Sequence, residues 1–175
     1  HVFPELEAGK TGLRKGSYMA STDEIFITVK GKGGHAAIPH KVVDPVLVVA
    51  HIVVALQQIV SRNANPTTPS LISFGRVQAE GRTNIIPDEA RLEGIMRTFD
   101  ENWRKEMKER ITSLATSIAK GMGAECDVFI DTGYPAVYND PEPTERVRNH
   151  SIEYLGEENV STLDQRMTAE DFSYY

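Results

Sequence analysis

The succession of hydrophobic periods along this chain constrains its fold more than any other feature. Alternating apolar residues indicate a strand, because successive strand side chains point to opposite faces, whereas a repeat every three and four residues indicates one face of a helix. The two periods occur in the order strand, helix, strand, strand, helix, strand. The six predicted elements are residues 24–30, 45 to about 63, 71–79, 89–99, 101 to about 121 and 125–131.

This order predicts an α+β fold of the ferredoxin-like kind, the split βαββαβ arrangement, over residues 23–132. We expect a four-stranded antiparallel sheet with both helices on one face. Asp44 before Pro45, and Asp100, are predicted to begin the helices, since an aspartate there accepts hydrogen bonds from first-turn N–H groups. The helix faces predicted to be buried are Val42, Val46, Val49, Val53, Leu56 and Val60, and then Trp103, Met107, Ile111, Leu114 and Ile118.

Residues 1–22 and 133–175 are more weakly patterned than the segment between them. A helix is predicted over Thr144–Leu155, after a loop at residues 139–143. We interpret the two flanks as partial segments of a second domain into which residues 23–132 are inserted. We expect the native chain to extend beyond both ends, since no methionine opens this one and its final aromatic residues begin an element that has no stop signal.

Composition restricts the class of protein. Hydrophobic residues make up 40% and charged residues 25% of the 175 residues, which is typical of a soluble globular protein. The net charge of -6 argues against nucleic acid as a partner. The longest apolar stretch, Val42–Val60, is interrupted by polar residues, so no membrane partner is predicted and a cytoplasmic location is expected. Cys126, the only cysteine, is interpreted as a buried strand thiol.

Three polar residues of the predicted domain are candidates for binding. His35 follows the glycine-rich segment Gly31–Gly34, which either is a flexible connection or brings the imidazole close to a ligand. Asn84 lies between two predicted strands, where asparagine often serves in a turn. Arg97 is out of step with Met96, so we expect it on the sheet face away from the helices. There it is either a solvated charge or a clamp for a carboxylate.

Other polar residues have less pattern around them. Glu170 and Asp171 are adjacent carboxylates, which serve either as metal or general-base groups or as charges at a helix N-terminus. His51 lies within the apolar first helix and is interpreted as a core or interface histidine. His1 has no interpretation from its own surroundings.

Taken together, six segments resemble the amidohydrolase and carboxypeptidase family known as peptidase family M-twenty. This family includes aminoacylases, bacterial glutamate carboxypeptidase and plant auxin-conjugate hydrolases. The resemblance is greatest to its branch of hippurate and N-acyl-amino-acid hydrolases. The segments that carry it are His1–Leu6, Gly31–His40 with Asp44–Pro45, Gln57–Arg62, Thr83–Asp88, Gly94–Phe99 and Met167–Tyr175.

The resemblance implies a two-domain enzyme that hydrolyses the amide bond of an N-acyl amino acid or dipeptide. A larger α/β catalytic domain would hold two divalent ions (zinc, manganese, cobalt or nickel), whose bound water attacks the carbonyl with a glutamate as general base. A smaller inserted lid domain usually dimerises. Residues 23–132 would be this lid, and residues 1–22 and 133–175 would be partial segments of the catalytic domain.

The resemblance also implies a role for each candidate residue. His1 matches a metal ligand, and His35 matches a catalytic lid histidine that stabilises the oxyanion, often in the partner subunit. Asn84 and Arg97 match substrate-binding positions, Arg97 holding the free carboxylate. The adjacent acids near the C-terminus match a supportive pair. His35 and Arg97 are therefore expected to converge on one ligand, within one subunit or across a dimer.

The chain departs from the family pattern in its metal ligands. The remaining ligands are expected before His1 and after Tyr175, so this chain alone is expected to be inactive and to bind no metal tightly. A homodimer is expected through an exposed sheet edge and helix, because the start of the edge strand, Leu71–Phe74, is unusually apolar for an unprotected edge. The alternative is a free-standing ferredoxin-like module that binds a small molecule or serves only in dimerisation, which explains the core equally well but not the terminal segments.

Overall fold

The computed structural model describes residues 4–175, which divide into two compact units. One unit is Asp23–Gly133, and the other consists of residues up to Thr22 together with Tyr134–Tyr175. The strands are β1 (Thr11–Leu13), β2 (Gly16–Ser17), β3 (Asp23–Lys30), β4 (Gly34–His35), β5 (Ser70–Gln78), β6 (Ile85–Ile86), β7 (Glu89–Thr98), β8 (Glu125–Thr132), β9 (Tyr138–Asn139) and β10 (Val160–Thr162). The helices are α1 (Pro45–Gln58), α2 (Glu101–Gly121) and α3 (Pro141–Leu155).

The Asp23–Gly133 unit has the predicted ferredoxin-like fold. Its four main strands form one antiparallel sheet in the order β5-β7-β3-β8, so β5 is an edge strand as predicted. The side chain of Asp44 accepts hydrogen bonds from the N–H groups of Val46 and Leu47, and that of Asp100 accepts one from Trp103. Both helices therefore begin at the predicted caps.

The core of this unit lies between the sheet and its two helices. α1 lies over β5, β7 and β3, and α2 lies over β8 and β7. Each large aliphatic side chain buried here stabilises the fold by about 1.5–3 kcal/mol. The buried residues include Ile25, Ile27, Val29, Ile72, Leu92 and Met96 from the sheet, and Val48, Val49, Ile52, Leu56, Met107 and Ile111 from the helices.

The predicted buried face of α1 is partly wrong. Val46 is 43% exposed, whereas Val48 and Ile52, which were not predicted to be buried, are among the core residues. His51 is exposed, so of its two interpretations, core histidine and interface histidine, the first is wrong. The helix is apolar on nearly all sides, so its period alone does not decide which side packs on the sheet. An apolar strip that includes Val54, 74% exposed, remains uncovered.

The end and the hydropathy of the first helix both depart from an ordinary surface helix. The last turn, Ile59–Asn63, is a π-helix closed by a 3.0 Å hydrogen bond from the Ala64 N–H to the Ile59 carbonyl. With this turn the helix spans 19 residues at a mean hydropathy of 1.6, enough by length and composition to cross a membrane. Its buried residues pack on the sheet, as in the core helix of a globular domain.

A buried ion-pair network lies where β3 begins and β8 ends. The guanidinium of Arg104 on α2 donates to both carboxylate oxygens of Asp23, at 2.7 and 3.0 Å, and to the Gly133 carbonyl at 2.9 Å. Lys108, one turn later, lies 2.8 Å from the same carboxylate and donates to the Thr132 hydroxyl. The side chain of Asp23 is fully buried. One helix thus holds the first and last residues of the unit.

The second unit is built from short elements. β1 and β10 form a parallel pair, and β2 and β9 form an antiparallel pair. α3 begins at Pro141, three residues before the predicted start, so the predicted loop at 139–143 is partly wrong. The reason is the cap: Asp140 accepts a 2.9 Å hydrogen bond from the Glu142 N–H, and proline is well suited to the first helical position.

Candidate functional site

The two loops that carry His35 and Asn84 are joined to each other. β4 pairs with β6, which places His35 opposite Ile85 and Gly34 opposite Ile86. The N–H of Ala36 donates to the Asn84 carbonyl at 3.0 Å. The structure thus brings together two of the candidate residues, which are nearly fifty positions apart in the sequence. We call these joined loops, Gly31–His40 and Gly81–Asp88, the tip of the sheet.

Close backbone contacts at the tip explain its glycines. A Cβ on Gly33 would lie 2.6 Å from the Ile86 carbonyl oxygen, and one on Gly81 would lie 2.5 Å from that of Ile85. Real side chains do not approach backbone so closely, so the loops pack only with glycine at these positions. The N–H of Gly33 also donates to the Asp88 carboxylate at 2.8 Å. The glycine-rich segment is therefore packed against the second loop of the tip.

The geometry of His35 defines which ring nitrogen can act on a ligand. The N–H of Ala37 donates to Nδ1 of His35 at 3.1 Å. Since Nδ1 accepts this hydrogen bond, the neutral ring carries its proton on Nε2. The side chain is exposed. The Nε2–H group is thus an available donor, which is what an oxyanion-stabilising histidine requires.

Asn84 occupies the turn that its residue type suggests. It is exposed in the tight turn between Arg82 and Ile85, whose backbone groups exchange hydrogen bonds of 2.9 and 3.1 Å. Its own backbone carbonyl is used by Ala36. The turn interpretation is therefore correct for the backbone, while the side-chain amide is exposed on the same tip as His35. A binding role for this amide stays a prediction.

Arg97 lies on β7, opposite Leu71 of β5. Its neighbours Met96 and Thr98 are fully buried towards the helices, so Arg97 points to the other face of the sheet, as predicted. Its Nη1 atom is buried and has no hydrogen-bond partner among residues 4–175. A buried guanidinium nitrogen without an acceptor is unfavourable, so the site favours an added carboxylate or similar acceptor.

Within one chain, His35 and Arg97 are not brought together. β3 and β7 are antiparallel, with Lys30 opposite Glu89 and Asp23 opposite Met96. The tip lies beyond the Lys30 end of this ladder, whereas Arg97 lies at its other end. At about 3.3 Å per residue, roughly 25 Å separates the two ends. The two residues therefore cannot contact one small ligand within a single subunit, so the first of the two expected arrangements is wrong.

The acidic pair Glu170 and Asp171 lies in the second unit. Asp171 begins the short 3₁₀ helix Asp171–Tyr174, and Glu170 occupies the position before it. Both line an open groove of about 950 Å³ that is also lined by Arg14 and Tyr138. The interpretation as charges at a helix N-terminus fits this placement, and the supportive catalytic role stays a prediction.

No metal site is assembled by the part of the chain that the structure describes. Residues 4–175 contain no group of three or more histidine, cysteine, aspartate or glutamate side chains placed to hold an ion. His1, the predicted ligand, lies outside the described residues. Burial, together with the charge of Asp127, raises the pKa of Cys126 to about 11, so without a metal this thiol is protonated at neutral pH and is a poor nucleophile.

One further polar residue of the tip, Arg82, was not a candidate in the sequence. Arg82 is exposed and lies opposite Ile85 in the same small ladder as His35. Its only sequence signal is a position two residues before Asn84, in a segment predicted as a loop. Strand pairing between two loops is not visible in a hydrophobic period, so nothing local placed this guanidinium beside the imidazole.

A family model described as the peptidase dimerisation domain matches residues 23–122. The N-acetyldiaminopimelate deacetylase of Halalkalibacterium halodurans is 38% identical over 178 residues, covering 100% of this chain and 47% of that protein. The N-acetyl-L-cysteine deacetylase of Bacillus subtilis is 34% identical over 175 residues, covering 100% of this chain and 42% of that protein. The chain thus spans a little under half the length of these curated relatives.

Two solved structures are similar over the whole chain. An aminohydrolase from methicillin-resistant Staphylococcus aureus matches with a TM-score of 0.88 at 30% identity, covering 100% of this chain and 45% of that one. The YXEP protein of Bacillus subtilis, a dinuclear metal-binding peptidase, matches with a TM-score of 0.76 at 28% identity, covering 100% of this chain and 43% of that one. The similarity therefore includes both compact units.

Proposed function

Because this chain belongs to the peptidase dimerisation domain family, we propose that it is the lid and part of the catalytic domain of a metal-dependent amidohydrolase. The whole enzyme would hydrolyse the amide bond of an N-acyl amino acid or dipeptide. Relatives named as deacetylases of N-acetyl amino acids support this substrate class. Their similarity extends through the flanks, which a free-standing binding module, the alternative, does not explain.

The observation that carries the proposal is the pair of complementary groups on the lid. The tip presents an imidazole N–H donor at His35, and the other end of the sheet presents the guanidinium of Arg97, whose Nη1 atom is buried without a partner among the described residues. An N-acyl amino acid needs both, since its carbonyl develops negative charge during attack and its free carboxylate must be held. Two copies of the chain bring these groups to one substrate.

The edge strand β5 offers the geometry for this pairing. If β5 pairs antiparallel with β5 of a second copy, the Ser70 end of one lies beside the Gln78 end of the other. Leu71 is opposite Arg97, and Gln78 is opposite Arg91 near the tip. The tip of the partner then lies at the Arg97 end. His35 follows β3, so four strand spacings, about 19 Å, separate the line of Arg97 on β7 from that of His35 in the second copy, which is less than the separation within one chain.

The two sheet edges differ in a way that favours β5 as the interface. On β8 the exposed positions include Glu125, Asp127 and Asp131, and charges on an edge oppose strand pairing. β5 carries one exposed charge, Arg76, which is paired with Glu93 of the same sheet, and it also exposes Val77 at 60%. The helix that packs over β5, α1, exposes Val54 at 74%. An edge whose single charge is already paired, beside an uncovered apolar helix face, is typical of a dimer interface.

We therefore predict that the double variant Val54→Glu, Val77→Lys is monomeric at micromolar concentration. Both side chains are exposed, so the chain should remain folded while charges enter the interface, and its melting temperature should fall only by the contribution of the dimer. Sedimentation velocity measures the mass against the 19.4 kDa of one chain. The matched control is Phe129→Glu, which adds a charge at a 63% exposed position on the other edge strand and should leave the dimer intact. A monomeric wild type would contradict the interface.

The two divalent ions belong, on this proposal, to parts of the enzyme other than residues 4–175, which do not fit a two-metal site. Zinc, manganese, cobalt and nickel all suit imidazole and carboxylate ligands. When bound, the ions would supply the activated water. The residues of this chain act on the substrate: Arg97 holds its carboxylate, Asn84 contacts its carbonyl region and His35 donates to the developing oxyanion.

An activity assay tests the proposal directly. The whole protein that contains this chain should release amino acid from N-acetyl amino acids, lose activity with a chelator and regain it when one of the four metals is added. The 175-residue chain under the same conditions should show no turnover above background. Turnover by the chain alone would refute the placement of the metal site, and failure of the whole protein with every metal would refute the amidohydrolase assignment.

A further inference from the structure

Three side chains of the tip lie in one row across its small ladder. His35 is opposite Ile85 across the pairing of β4 with β6, and Ile85 is opposite Arg82 across the tight turn. Residues directly opposite each other in a ladder project to the same face. His35, Ile85 and Arg82 therefore share one face, with Ile85 in the middle. Two ladder steps place the Cα atoms of Arg82 and His35 about 10 Å apart.

The guanidinium of Arg82 is available to a ligand. No ion-pair or side-chain hydrogen-bond partner for it exists among residues 4–175, and the residue is exposed. The nearest acids along its loop are already used, since Glu80 accepts a 2.7 Å hydrogen bond from Gln78 and Asp88 accepts one from Gly33. Neither carboxylate forms an ion pair with Arg82, so among the described residues of the tip its guanidinium has no direct carboxylate partner.

The residue between the two polar groups is apolar and accessible. Ile85 is 44% exposed, so the row presents an imidazole donor, then an aliphatic surface, then a guanidinium. A molecule that spans the row would have a polar group at each end and methylene groups between them. Carboxylate is the group that a guanidinium binds with two parallel hydrogen bonds.

We infer that Arg82 is a specificity-determining residue that binds a carboxylate at the end of the substrate side chain. The inference rests on the proposed function, because His35 must first hold the scissile carbonyl. An acyl amino acid with an aliphatic side chain ending in a carboxylate would then lie over Ile85, with its second carboxylate at Arg82. Arg97 remains assigned to the α-carboxylate.

The test compares matched substrates on the whole enzyme. N-acetyl-2-aminoadipate and N-acetyl-2-aminopimelate carry a side-chain carboxylate, and their ω-amides are neutral at that end but similar in shape. Arg82→Gln should lower kcat/KM for the carboxylates by about 10- to 100-fold, chiefly through KM, and change that for the amides by less than about twofold. Arg82→Lys should recover only part of the loss, because an ammonium lacks the two-pronged geometry.

The control is Lys105→Gln, which removes one positive charge from an exposed position on α2. If it lowers the preference for carboxylates as much as Arg82→Gln does, the effect is one of overall charge and the inference is refuted. Equal losses for carboxylates and amides in Arg82→Gln would also refute it, while leaving the amidohydrolase assignment in place. A wild-type enzyme that hydrolyses none of the four compounds or any other N-acyl amino acid would refute both.

Discussion

Arg97→Met is expected to lower kcat/KM for N-acyl amino acids by roughly 100- to 1000-fold in the whole enzyme, because losing one partner of a desolvated charge pair costs about 3–4 kcal/mol. The stability of the folded protein should not decrease, since Nη1 of Arg97 is buried without a partner among the described residues and methionine removes that unfavourable atom. The melting temperature is therefore expected to stay unchanged or to rise. Steady-state kinetics and thermal unfolding measure the two effects on the same preparations.

A mixing experiment shows which copy supplies each group. Arg97→Met and His35→Ala should each be nearly inactive as homodimers. In a mixed dimer, one site combines the intact Arg97 of one chain with the intact His35 of its partner. Random exchange of subunits should then restore about a quarter of wild-type activity, because half of the dimers are mixed and each has one complete site. No recovery after demonstrated exchange would refute the shared site.

Arg104→Met is expected to destabilise the Asp23–Gly133 unit by about 3–5 kcal/mol, because it leaves the fully buried carboxylate of Asp23 without its main partner. Trp103, the only tryptophan, reports this unit, since its indole N–H donates to Ser70 at 3.0 Å across the core. Urea unfolding followed by its fluorescence gives the free energy. A loss within about 1 kcal/mol would mean that the ion pair contributes little.

Two further variants separate charge burial from loss of packing. Glu101→Gln changes the outer partner of Arg104, whose side chain is 51% exposed, and should cost less than about 1 kcal/mol. The double variant Asp23→Leu, Arg104→Met removes both buried charges and should be more stable than Arg104→Met alone. If the double variant is the less stable of the two, the network acts through shape and backbone contacts and not through charge.

Features that depend on a single element were predictable from the sequence. The order of the periods gave the antiparallel sheet with two helices, and Asp44 and Asp100 marked the helix starts correctly. The outward direction of Arg97 followed from alternation along β7. Each of these features is set by neighbours within a few positions, where pleat, helical period and first-turn hydrogen bonds act directly.

Features that join distant positions were decided by the tertiary structure. The sequence did not show that β4 pairs with β6, so it did not place Arg82 beside His35. It did not select the buried face of α1, because a helix that is apolar all round packs wherever the sheet presents the best fit. It also did not show that His35 and Arg97 lie at opposite ends of the sheet. The physical reason is that period and capping act within an element, whereas register and docking are settled only when elements meet.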